Sequence, residues 1–120
     1  MLKEAMLALR VTDMEYAPEI CDLIKAAEKD LKIAGVILDG VAAFDIAVDT
    51  DPETGEETVT VEDNSTIADE LIITAVNTYV RMHFGSPADY DRLAASYDLQ
   101  RRQLANAARY TDFLEQAVDP

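Results

Sequence analysis

Cys21 and His83, each the sole residue of its type, are the first to test for chemistry. A thiol beside an imidazole can form a nucleophilic dyad, with a third group orienting the base. Cys21, however, falls mid-helix beside an apolar stripe, where a small buried thiol is common. A metal site needs several nitrogen, sulfur or carboxylate ligands, and these two residues supply one imidazole and one thiol. His83 sits better as a helix-end residue capping carbonyls. The stretch Asp49-Thr50-Asp51-Pro52-Glu53 invites comparison with a calcium loop, but the fit is poor. Gly55 falls at position seven instead of six, and Thr60 stands where a bidentate Glu belongs. A hairpin turn accounts for the same residues.

Carboxylates recur through residues 45–70 at spacings that could serve acid–base work, yet a solvated acidic loop explains them without a substrate. Gly35, Gly40, Gly55 and Gly85 are scattered and build no phosphate loop. Tyr79, Tyr90 and Tyr97 fall at helical spacing and read as core or interface residues, not as a platform for stacking bases. The expectation is a protein with no catalytic residue, no cofactor and no metal.

The elements that position these residues centre on 66–110. Ile67, Leu71, Ile72, Ala75, Val76, Tyr79 and Val80 form one apolar stripe; Tyr90, Leu93, Ala94, Tyr97, Leu104 and Ala108 form a second. Between them, Gly85 offers positive φ as a helix stop, Ser86 a cap, Pro87 a first helical residue and Asp89 an acid for the helix dipole. Thr66 with Asp69 marks the start of the first arm. The spacing predicts two helices, near 67–84 and 87–109, folded as an antiparallel pair.

Upstream, a short helix near 2–11 presents Leu2, Ala5, Met6 and Leu9 on one side, and Thr12-Asp13 ends it. A second helix near 18–34 opens at Pro18 and buries Ile20, Leu23, Ile24, Ala27 and Leu31, with Gly35 as its stop and Lys25, Glu28 and Lys29 toward solvent. From Gly40 the period becomes alternating, which predicts a β-hairpin near 41–62 around the turn Asp51–Gly55. Alone such a hairpin is marginal, so Phe44, Ile46, Val59 and Val61 must lean on the bundle or on a neighbouring copy. These four, with Tyr90 and Tyr97, are the candidate contact residues. The last residues are expected to add one helical turn through Phe113 and Leu114 and to fray at Asp119-Pro120. The fold class is mainly α: one domain over 1–120, about four antiparallel helices with a β-hairpin or long loop inserted between the second and third.

Apolar residues make up 49% of the 120, but eighteen are alanine and none is tryptophan, so the core is thin. Such chains often gain stability by assembling. No apolar run approaches a membrane span, Lys3 and Glu4 interrupt any leader, and one cysteine permits no internal disulfide; a cytoplasmic origin is expected. The net charge of −14 is uneven: residues 33–80 carry eleven acids and no Lys or Arg, while 81–111 stand at +2. A field of that sign repels phosphate backbones and argues against a DNA-reading helix pair.

Ala75-Val76-x-x-Tyr79-Val80-x-x-x-Phe84-Gly85, then Asp89-Tyr90, then Ser96-Tyr97-Asp98-x-Gln100-x-x-x-Leu104 resembles the head–tail connector (adaptor) family of tailed bacteriophages. So do Leu7–Thr12, Glu19-Ile20-x-x-Leu23-Ile24-x-Ala26-Ala27-x-x-Asp30-Leu31 and Ala34-Gly35-Val36. The likeness covers 1–36 and 67–111, and residues 40–64 depart from it. The resemblance implies a virion protein, made in the bacterial cytoplasm, that forms a dodecamer-like homo-oligomeric ring beneath the portal protein. Such a ring extends the DNA channel and offers a surface to downstream tail or stopper proteins. The alternative reading is an acidic adaptor that binds a basic protein partner as a nucleic-acid mimic.

Overall fold

The structure, a computed structural model, describes residues 1–118 and the side chains of 1–107. In order it forms α1 (Leu2–Leu9), a 3-10 turn (Met14–Tyr16), α2 (Ala17–Ile33), β1 (Phe44–Thr50), β2 (Glu57–Asp63), α3 (Glu70–His83) and α4 (Tyr90–Val118). The protein is thus mostly helical, with a two-stranded antiparallel sheet between its second and third long helices. The expected fraying at Asp119-Pro120 lies outside the described residues.

The helices form where the apolar spacing demands. α2 buries Ala17, Ile20, Cys21, Ile24, Ala27 and Leu31, and α3 buries Ile72, Ala75, Val76, Val80 and Met82. Their stripes meet in one cluster that also takes in Leu2 and Ala5 of α1 and Leu93, Tyr97 and Ala105 of α4. Full burial of each Ile, Leu or Val contributes about 1.5–3 kcal/mol. Among the described residues, six of the buried apolar side chains are alanine, so the large ones that carry this core are few.

The helix ends differ from the expected ones in instructive ways. α2 stops as anticipated, with Gly35 at φ 94 and the Val36 N–H returning to Leu31 O at 3.0 Å. α1 stops earlier than Thr12-Asp13, on Arg10 itself, which takes the left-handed conformation at φ 57 while Val11 N–H bonds Met6 O. Thr66 does not cap α3. Its hydroxyl is engaged by Val41 N–H, and Asp69, three residues on, accepts from Leu71 N–H at 2.9 Å instead. Likewise Ser86 and Pro87 stay in the connection, and α4 begins after Asp89, whose carbonyl accepts from Leu93 N–H. At α3 the aspartate takes the place of the expected threonine, since aspartate caps at least as well as Thr; at α4 the Asp89 carboxylate binds Arg92 instead.

The start of α3 moves Leu71 off the buried stripe, leaving it 68% exposed. Glu28, expected toward solvent, is turned inward: its carboxylate accepts from Ala42 N–H and pairs with Lys32 at 3.3 Å. That contact belongs to a neck of polar bonds from which the β-hairpin emerges. Asp39 Oδ2 accepts from Ala68 and Asp69 N–H, both at 2.9 Å, and Ser65 Oγ accepts from Ala43 N–H at 3.1 Å. Gly40 runs so close to Thr66 that a Cβ there would sit 2.5 Å from its carbonyl carbon.

Candidate functional site

Alternating Phe44, Ile46 and Val48 face Val61 and Val59 across the sheet, because the register pairs Ile46 with Val61 and Val48 with Val59. These residues share one face, since side chains alternate with period two. The other face pairs Asp45 with Glu62, two carboxylates directly opposite, and such like-charge pairs destabilise a sheet by up to about 1 kcal/mol. Asn64 Nδ2 offsets part of this by donating to Asp45 at 3.0 Å. Over 44–63 there are eight carboxylates and no Lys or Arg. The turn is held by Asp51, which accepts from Glu53 N–H through its side chain, and by Gly55 at φ 71.

Among the described residues, only the base of this hairpin rests on the protein. Phe44 and Val61 pack against the core, whereas Ile46 is 42% and Val48 52% exposed. The sheet leans chiefly on the Met14–Tyr16 turn. Below it, Leu2, Met6, Leu7, Val11, Met14 and Val61 line an apolar groove of about 450 Å³, so Val61 joins the hairpin face to α1. Asp63 pins this end. Its Oδ2 accepts from Leu2 N–H at 3.0 Å and from the Met1 ammonium at 2.8 Å, while Oδ1 accepts from Ser65 N–H. Partial burial pushes its carboxyl upward, but the bonds from the ammonium, Ser65 and Leu2 prevail and hold it at about 2.

The six candidate contact residues do not form one patch. Phe44, Ile46, Val59 and Val61 lie together on the hairpin. Tyr90 is 44% exposed at the start of α4, its ring 6.5 Å from His83. Tyr97 is 4% exposed, and its hydroxyl donates to Asp30. It is therefore a core residue of the isolated protomer. Burial and the facing Asp30 carboxylate push that hydroxyl well above the usual phenol range. Arg101 closes the network, bonding Asp30 at 3.2 Å and Asp98 at 3.1 Å. Neither Val48 nor Asp30 is among the six candidate contacts. The alternation of Phe44 and Ile46 runs on into Val48, whereas Asp30 is bonded by residues 67 and 71 positions away, a role that nothing local points to.

Cys21 and His83 do not form a dyad. Cys21 is buried, and desolvation raises its thiol to about 11, which suppresses the thiolate. His83 lies against the Tyr79 ring at 4.3 Å instead of capping carbonyls. Among the described residues, no group of three His, Cys, Asp or Glu is arranged to hold a metal ion. No helix among them is long and apolar enough to cross a membrane. Comparison with family models, curated proteins and solved structures gives no match.

Proposed function

We propose that this chain is a structural protein of the tailed-phage virion, assembling as a ring at the head–tail junction beneath the portal. The observation that carries this reading is the β-hairpin, an arm whose Ile46 and Val48 its own protomer leaves exposed and whose carboxylates, apart from the pinned Asp63, face solvent. The radius of gyration is 17.2 Å, against about 14 Å for a compact chain of this length. An extended shape with a thin core fits a protomer whose surfaces are completed by neighbours. The four helices are read as an antiparallel bundle forming the body of the ring, and the hairpin as its connecting arm. The acidic surface suits a channel wall past which DNA moves without sticking. The ordered sequence likeness to head–tail connectors supports the same assignment, and no catalytic chemistry is assigned. Light scattering behind size-exclusion chromatography, with and without the cognate portal, tests it. Multi-copy complexes on the portal are expected; a chain that ignores the portal contradicts the reading.

The same hairpin favours a second reading, an acidic adaptor that mimics nucleic acid toward a basic protein. Neutralising the acids of 45–63 should then abolish binding to that partner with circular dichroism unchanged. Binding that survives removes this alternative.

A further inference from the structure

The end of α1 and the α3–α4 corner enclose an open cleft of about 620 Å³, lined in part by Leu7, Arg10, Arg81, Phe84, Pro87 and Asp89. Two features give it a positive character. Asp89 Oδ2, held by Arg92 at 2.7 Å, is 3.9 Å from Arg81, so Arg81 is only loosely compensated. None of the ion pairs among the described residues involves Arg10. Arg10 is also the one non-glycine described residue with positive φ. That conformation is strained for an L-residue, and glycine is the usual occupant at a helix end. Here an arginine stands there, exposed, beside apolar Leu7, which is 68% exposed.

The tip of the β-hairpin is the counterpart of this cleft. Asp49, Asp51, Glu53, Glu56 and Glu57 crowd nine residues with no Lys or Arg among them. The exposed Val48, paired with Val59, supplies an apolar edge behind them. Seven-residue strands carry the tip about 20 Å from the neck. A projecting, acidic arm and an open, mainly polar cleft that carries Arg10 and Arg81 thus occur on the same chain.

We propose that the hairpin tip of one copy inserts into the Arg10–Arg81 cleft of a second copy, a head-to-tail contact repeated from copy to copy. A contact between two different patches closes a ring when its rotation allows and otherwise runs on as a filament. The pairing deepens the ring reading and rests on it for closure alone. A tip-in-cleft contact is smaller than the roughly 800 Å² per partner of a standard interface. Two copies therefore pair weakly, and the association grows with protein concentration.

Reciprocal charge reversal tests the pairing. One variant reverses the cleft, Arg10→Glu with Arg81→Glu. The other reverses the tip, Glu53→Lys with Glu56→Lys, whose side chains do not hold the turn. In sedimentation velocity at rising concentration, wild type should form higher species, each variant alone should remain monomeric, and their mixture should associate again. Wild type that stays monomeric, variants that associate like wild type, or a mixture that stays monomeric each overturn the proposal. Disulfide trapping gives an independent check, because the native Cys21 is buried. Thr54→Cys mixed with Leu7→Cys should yield a cross-linked heterodimer under oxidation; cross-linking of Thr54→Cys to itself instead points to paired tips and overturns it. Reversal variants that still bind the portal as a ring would sink the pairing and spare the ring; a restored mixture that ignores the portal would do the opposite.

Discussion

The hydroxyl of Tyr97 donates to Asp30 Oδ2 across 2.5 Å, joining α4 to α2 through residues 67 apart in sequence. Arg101 reaches the same oxygen, so the carboxylate serves two donors from one helix. α4 otherwise packs mainly against α3, so this network is its principal polar tie to α2 among the described residues. Tyr97→Phe keeps the ring and removes one donor to a charged acceptor. Asp30 is partly solvated, so the loss should be about 1.5 kcal/mol, the low end for bonds to a charged group. Urea unfolding should show a lower midpoint at unchanged slope. Because the native hydroxyl is held above its unfolded value of about 10, its stabilisation is complete below that pH and is lost as pH rises beyond it. The phenylalanine variant should lose less stability over that alkaline range than wild type.

Gly40 and Gly55 are both needed, for different reasons, and alanine separates them. At Gly40 a Cβ would meet the Thr66 carbonyl carbon at 2.5 Å and its oxygen at 2.6 Å, so the neck must move. Gly40→Ala should cost more than about 2 kcal/mol and weaken protection of the Val41 and Thr66 amides from hydrogen exchange. At Gly55 a Cβ meets nothing within 4 Å, but φ is 71. Gly55→Ala should therefore cost about 1 kcal/mol, confined to the turn.

Asp63 gives the fold an acid limb. Its carboxyl is held at about 2, below the unfolded value of about 3.9, so its stabilisation is complete above the higher value and disappears as pH falls through the lower. A fully shielded group would contribute about 2.5 kcal/mol, and solvent at this exposed position reduces that to about 1 kcal/mol. Asp63→Asn should flatten the fall in stability between those two pH values, read from thermal melts across the range.

Cys21 reports opening of the core. Its thiol is buried and raised to about 11, so iodoacetamide at neutral pH should label it far more slowly than a free thiol. The rate should rise to the free-thiol value in urea. Prompt labelling of the native chain would mean that α2 is not packed as described.

What the sequence made legible was what local chemistry determines. The stripes of α2 and α3, the Gly35 stop and the Asp51–Gly55 turn each depend on residues within a few positions of one another. The neck did not show, because Glu28, Asp39 and Thr66 bond groups 14 to 30 residues away and look in sequence like ordinary surface polar residues. The same long-range bonding drew Thr66 away from the cap of α3, and Asp69 took its place. Tyr97 read equally as core or interface until Asp30 was placed beside its hydroxyl. Val48 continued an alternation already visible, but its exposure depends on where the rest of the protein ends. Arg10 gave no signal, since an arginine closing a helix in the left-handed conformation runs against the preference for glycine there.

Electron microscopy of the chain mixed with its cognate portal oligomer is the most direct measurement of whether other proteins complete this protomer. The account requires a closed ring of copies coaxial with the portal, with each acidic arm reaching the adjacent copy. Portal particles without added density, beside free single copies whose arms touch nothing, would contradict it.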